Sequence, residues 1–87
     1  MLHMSKVRGD FPILNQTVFG HQLIYMDNAA TMQMPEPVLD AIVHHYHSDN
    51  ANVHRGIHVL SERSTRALED ARERVRSFLN ARSSDEI

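Results

Sequence analysis

Leu23-Ile24-Tyr25-Met26-Asp27-Asn28-Ala29-Ala30-Thr31 is the stretch on which the fold turns. A β-favouring apolar run stops at Asp-Asn, and two alanines then lead to a threonine. Asp and Asn favour turns because their side chains bond nearby backbone. The pattern predicts a short covered strand, Leu23 to Met26, feeding a tight turn of small residues. The two alanines leave room for a ligand to lie close to the backbone, with free N–H groups able to bind a carboxylate or phosphate. An ordinary strand-to-helix connection would use the same residues. A strand this short is not a sheet, and a two-stranded ribbon is marginal. The strand therefore demands partners that the rest of the chain does not clearly supply.

Upstream, Ser5 is a candidate N-cap for one short helical turn with Lys6, Val7 and Arg8. Pro12 disfavours helix at Phe11, which predicts an extended segment anchored by Phe11, Ile13 and Leu14. Val18 and Phe19 predict a brief strand with Gly20 as its turn. Downstream, Pro35-Glu36-Pro37 suits a helix start, because proline is tolerated in the first turn and an acid there meets the positive end of the dipole. That helix is predicted over about residues 35 to 47, with Val38, Leu39, Ile42, Val43 and Tyr46 on one face. A polar break follows, then the basic loop Val53-His54-Arg55-Gly56-Ile57-His58, in which Gly56 reads as the hinge. A second helix is predicted over about 59 to 80, with Leu60, Leu68, Ala71, Val75, Phe78 and Leu79 as its buried stripe. Glu62–Arg66 and Asp70–Arg74 pairs are expected on its outer face, and Asn80 at its stop.

At 87 residues the chain has the length of one small domain with a thin core. A net charge of −2 gives no electrostatic case for nucleic acid or an anionic membrane. The absence of cysteine removes disulfides, thiolate metal sites and a thiol nucleophile. No apolar run has the form of a secretory signal or reaches the ~20 residues of a membrane span. A cytoplasmic location is the resulting expectation.

Three features could carry chemistry. Besides the turn, the loop at His54 and Arg55 joins a planar cation, suited to carboxylate or phosphate, to a side chain that changes charge near neutral pH. A surface loop with a stray Arg and His would look the same. His44, His45 and His47, with His54 and His58 further on, invite a metal reading. No ligand signature accompanies them, and histidines in a last helical turn also complement the dipole. The expectation is no metal site. The chain contains no Gly-rich phosphate loop, no nucleophile elbow and no evident pair of catalytic carboxylates.

Four blocks occur in order: Asp10-Phe11-Pro12-Ile13-Leu14; Leu23 to Thr31; Pro35-Glu36-Pro37-Val38-Leu39-Asp40-Ala41-Ile42; and Asn52-Val53-His54-Arg55-Gly56-Ile57-His58. Together with Ser61-Glu62-Arg63 and Asn80-Ala81-Arg82, they resemble the opening of a Suf-type cysteine desulfurase. This is a class V aminotransferase-like enzyme of fold type I that uses pyridoxal 5'-phosphate (PLP). The resemblance implies an α/β parent fold, of which this chain alone is mostly α with a short strand or β-ribbon. It implies an N-terminal arm, a strand-turn and two helices over residues 1–87, short of a complete domain. It further implies a homodimer that converts L-cysteine to L-alanine and an enzyme persulfide for iron–sulfur cluster assembly, with a sulfur-acceptor or scaffold protein as a possible partner. Ala29 and Ala30 would lie near the substrate, and His54 and Arg55 would reach the partner subunit's active site. A sheet strand would begin near Glu86-Ile87. The family's Schiff-base lysine motif, its persulfide cysteine and its cofactor-binding residues have no counterparts here, and Met32 and Met34 replace more polar residues after the turn. No catalytic residue, bound cofactor or activity is therefore expected of this chain alone. The alternative reading is a small non-catalytic helical interaction module.

Overall fold

A computed structural model describes residues 1–87. It contains three helices: α1, Met4–Gly9; α2, Glu36–Ser48; and α3, Val59–Leu79. A two-stranded antiparallel ribbon joins β1, Thr17–Val18, to β2, His21–Gln22. Short 3-10 turns occupy Pro12–Asn15 and Ser84–Glu86. The chain divides into two compact units, Met1–Val43 and His44–Ile87.

In the first unit α1 follows His3, not Ser5, which lies inside the helix. The segment after Phe11 is not extended. Pro12 takes the first position of a 3-10 turn, where its missing N–H costs nothing. Arg8 ties these pieces together: its guanidinium donates to the Leu14 carbonyl at 3.1 Å and to the Leu23 carbonyl at 3.1 Å. The ribbon pairs Thr17 with Gln22 and Val18 with His21. Its two-residue turn is Phe19-Gly20, with φ of 52° and 80°. Both are positive, as the reverse turn of a tight hairpin requires.

The expected strand Leu23 to Met26 does not form. The Leu23 N–H donates to the Gln16 carbonyl at 3.0 Å, prolonging the ribbon by one bond, and pairing ends there. A strand is completed by its neighbour, and beyond Leu23 this one has none.

The helices lie close to their expected bounds. The Glu36 N–H reaches the Asp10 carbonyl at 2.7 Å, which satisfies one of the orphan donors at the start of α2. In the second unit His58 caps α3, its Nδ1 accepting from the Ser61 N–H at 3.2 Å. Asn80 ends α3 in the left-handed conformation, with φ 56° and ψ 36°. The Ala81 N–H then bonds the Arg76 carbonyl and the Asn80 N–H that of Ser77, which is the double closure of a Schellman end. Arg76 reinforces it by donating to the Ala81 carbonyl at 2.8 Å. Glu86 is not strand. It completes a capping box with Ser83 in the final 3-10 turn.

The outer-face pairs Glu62–Arg66 and Asp70–Arg74 do not form. Arg63 instead faces Asp49 at 3.4 Å, and Arg76 meets Glu73 at 2.7 Å. Exposed helix pairs are worth only a few tenths of a kcal/mol and yield readily to other partners.

No apolar side chain is buried in either unit. The α3 stripe, expected to be covered, leaves Phe78 89% and Leu79 62% exposed. The α2 face is likewise open, from Val38 to Tyr46. Burying one such side chain fully contributes ~1.5–3 kcal/mol, and ordering each residue costs ~1–2 kcal/mol. The isolated chain is therefore expected to lose helical circular dichroism gradually on heating and to bind an apolar dye. A sharp transition carrying the usual ~0.7 kcal/mol of enthalpy per residue would contradict this.

Candidate functional site

The turn in the first unit is closed by its own atoms. The Asp27 carbonyl accepts from the Ala30 N–H at 3.2 Å and from the Thr31 N–H at 3.1 Å. The Tyr25 hydroxyl lies 2.7 Å from the Thr31 carbonyl and 3.3 Å from that of Asp27, and bridges the two ends. Two of the N–H groups that the sequence suggested for anion binding are thus already spent. Ala29 and Ala30 stand exposed on the turn. Beside it lies an apolar groove of about 450 Å³, lined by Val7, Phe11, Leu14, Tyr25 and Met32 among others. Asn28 lines it too, so one flank of the turn borders the groove.

The loop of the second unit is attached to the helix that follows it. Ser61 donates its hydroxyl to the Asn52 carbonyl at 2.7 Å, and Ser64 donates to the Asp49 carbonyl. Those two serines, 1% and 3% exposed, are the only buried residues of the chain. The His54 N–H donates to Thr65 Oγ1 at 2.8 Å, and its Nε2 lies 3.1 Å from Glu69 Oε1. His54 has φ of 65°, so the left-handed residue of the loop is His54 and not the expected hinge Gly56.

Gly56 is required for another reason. A Cβ there would stand 2.3 Å from the Ser61 Oγ and 2.4 Å from its Cβ. An open depression of about 670 Å³ lies at this place, lined by His54, Gly56, Glu62, Thr65 and Arg66. Arg55 is exposed and its guanidinium makes no hydrogen bond or ion pair. The histidines do not gather. His44 faces Asp49 at 3.3 Å, His54 faces Glu69, and His58 caps α3.

Of the residues singled out from sequence, Ala29 and Ala30 belong to the first unit and His54 and Arg55 to the second. Sequence reading missed Tyr25 as the brace of the turn and Ser61, Thr65 and Glu69 as the anchors of the loop. Their spacing of four residues along α3 was the available signal, since it places all three on one face.

The stretch that matches known proteins includes both elements. The family model described as aminotransferase class-V matches residues 24–87. A probable cysteine desulfurase of Synechocystis sp. is 59% identical over 83 residues, covering 95% of this chain and 20% of that protein. One of Streptomyces coelicolor is 52% identical over 88 residues, covering 100% of this chain and 21% of that protein. The apo structure of a cysteine desulfurase from Thermococcus onnurineus NA1 superposes with a TM-score of 0.80 at 39% identity, covering 94% of this chain and 19% of that one. The chain spans about a fifth of the length of these relatives.

The serine attachment leads to a direct test. Replacing Ser61 with Ala leaves the Asn52 carbonyl without its donor, at a cost of about 1–3 kcal/mol. Tryptic cleavage after Arg55 tracks the open population of the loop and should speed up roughly 5- to 100-fold. Cleavage after Arg82 serves as the internal reference, and an unchanged ratio of the two rates would refute the attachment.

Proposed function

The chain belongs to the aminotransferase class-V family, and on that premise we propose that it is the N-terminal segment of a Suf-type, PLP-dependent cysteine desulfurase. The parent enzyme takes sulfur from L-cysteine, releases L-alanine and holds the sulfur as a persulfide for iron–sulfur cluster assembly. It works in the cytoplasm as a homodimer that passes sulfur to an acceptor or scaffold protein. In this reading residues 1–87 are an arm, a turn and two helices of the larger fold, not a complete domain.

The observation that carries the reading is the uncovered apolar surface of a backbone that matches a solved desulfurase. Stripes as regular as those of α2 and α3 belong against other elements, and the remainder of a longer chain would supply them. The same observation counts against a self-sufficient helical module, which would need an apolar core of its own. No helix is long and apolar enough to cross a membrane, which suits the proposed location.

The residues present do not fit as the holders of PLP. The single lysine, Lys6, is exposed on α1 and has no carboxylate partner, and the chain has no cysteine. Catalysis is therefore assigned to the rest of the parent chain. What this segment contributes is binding surface. Ala29 and Ala30 give a small-residue edge beside the substrate, where bulk would obstruct. His54 and Arg55 extend to the partner subunit's active site, where Arg55 brings a permanent positive charge.

The test exchanges segments. The corresponding N-terminal part of the Thermococcus enzyme is replaced by residues 1–87, and alanine release from L-cysteine is measured. A chimera that folds, binds PLP and releases alanine supports the proposal, and one that folds and binds PLP without turnover overturns it. The 87-residue chain alone, given PLP and L-cysteine, should release no alanine above the rate of free PLP.

A further inference from the structure

We infer that Tyr25 is a positioning residue: it holds the Asp27–Thr31 turn closed and thereby limits the size of side chain that the substrate can carry past Ala29 and Ala30. The inference deepens the reading above and rests on its placement of those alanines beside the substrate.

Of the three residues before the turn, Tyr25 alone faces inward. Ile24 is 80% and Met26 88% exposed, whereas Tyr25 is half-buried. Its side chain lines the apolar groove together with Phe11, Leu14 and Met32. A tyrosine joins an apolar body to a polar tip on a stiff frame. Here the body is seated at the groove and the tip reaches the turn. The hydroxyl has a single proton to donate. The Thr31 carbonyl, at 2.7 Å, lies at the ordinary length of an O–H···O bond, and the Asp27 carbonyl, at 3.3 Å, lies beyond it. The Asp27 carbonyl also has two donors already, the N–H groups of Ala30 and Thr31. The proton therefore goes to Thr31.

That bond is the one hydrogen bond that the Thr31 carbonyl accepts. From Thr31 to Pro35 the chain has neither helix nor strand to fix its course. A methyl group forms no hydrogen bond, so Ala29 and Ala30 cannot secure their own position. It follows from the two ends of the turn: the backbone closes one at Asp27, and Tyr25 holds the other at Thr31. A small-residue edge discriminates by size only while its backbone is held, because a wall free to recede admits the larger ligand.

The experiment uses the full-length chimera. It measures PLP binding, kcat for L-cysteine, and the inhibition constants of L-alanine, L-2-aminobutyrate and L-norvaline, whose side chains grow by one methylene at each step. Tyr25→Phe removes the hydroxyl and keeps the ring. It should lower the ratio of the L-norvaline constant to the L-alanine constant about two- to tenfold, the range set by one net hydrogen bond. Loss of active enzyme lowers kcat and leaves that ratio unchanged, so the ratio reports the position of the edge. Replacing Ala29 and Ala30 together with Gly withdraws the methyl groups directly and should lower the same ratio. Adding Tyr25→Phe to the glycine pair should lower it no further, because the held groups are gone.

A ratio that is unchanged or raised in Tyr25→Phe would overturn the inference, as would a glycine pair without effect or effects that add. A Tyr25→Phe chimera that no longer binds PLP marks a brace for folding alone and also overturns it. If the unmutated chimera is active while these patterns fail, only this inference falls. If the unmutated chimera folds, binds PLP and is inactive, the proposed function falls and takes the inference with it.

Discussion

The second unit depends on two serine hydroxyls. Ser61 and Ser64 are the buried residues of the chain, and each donates to a carbonyl of the loop before α3. A hydroxyl shut away from water needs a partner, and leaving one unpaired costs about 1–3 kcal/mol. The loop backbone must therefore bring the Asp49 and Asn52 carbonyls to these positions. The rest follows from that path. Only a residue without a Cβ can pass Ser61, which fixes glycine at position 56. His58, at the end of this path, caps α3 by accepting from the Ser61 N–H. The first unit shows the same economy on a smaller scale, with one guanidinium of Arg8 holding the carbonyls of Leu14 and Leu23.

Polar attachments of this kind define a path, but they do not provide a core. A net hydrogen bond contributes about 0.5–1.5 kcal/mol, whereas a fully buried Leu or Phe contributes ~1.5–3 kcal/mol. Here Leu68, Val75, Phe78 and Leu79 of α3 all remain exposed. The local geometry of the loop is thus specified within the chain, while the larger favourable contribution, apolar burial, is not realised in it.

The parts that were legible in the sequence are those whose cause is local. The start of α2 is written in Pro35-Glu36-Pro37 and the end of α3 in Asn80, because caps and prolines act on their own turn. The strand expected at Leu23 to Met26 failed because pairing is a property of two segments, and only Leu23 finds one. The bend of the loop was assigned to Gly56 as its hinge. The left-handed residue of the loop is instead His54, a residue type that visits positive φ more than most. Thr65 and Glu69 were passed over, despite their four-residue spacing, because a polar stripe on a helix reads as a solvated face. Their value appears only when a loop distant by 11 residues returns to them. Ala29, Ala30, His54 and Arg55 were named from sequence, and the side chains that brace their turn and loop, Tyr25, Ser61, Thr65 and Glu69, were not.

The two elements also differ in what they can offer a ligand. The Asp27–Thr31 turn spends the N–H groups of Ala30 and Thr31 on the Asp27 carbonyl, and Tyr25 braces its open end. Self-closure leaves its alanines as exposed methyl groups and makes the turn a source of shape more than of charge. The loop at His54 is the converse: its backbone is fastened to α3 and its free feature is the charge of Arg55. Shape excludes wrongly sized ligands through a steric penalty, and a charge favours ligands of opposite sign. In each element, taken by itself, the backbone ordering cost is met within the folded unit, whereas the exposed Arg55 side chain keeps its rotamer freedom until it finds a partner.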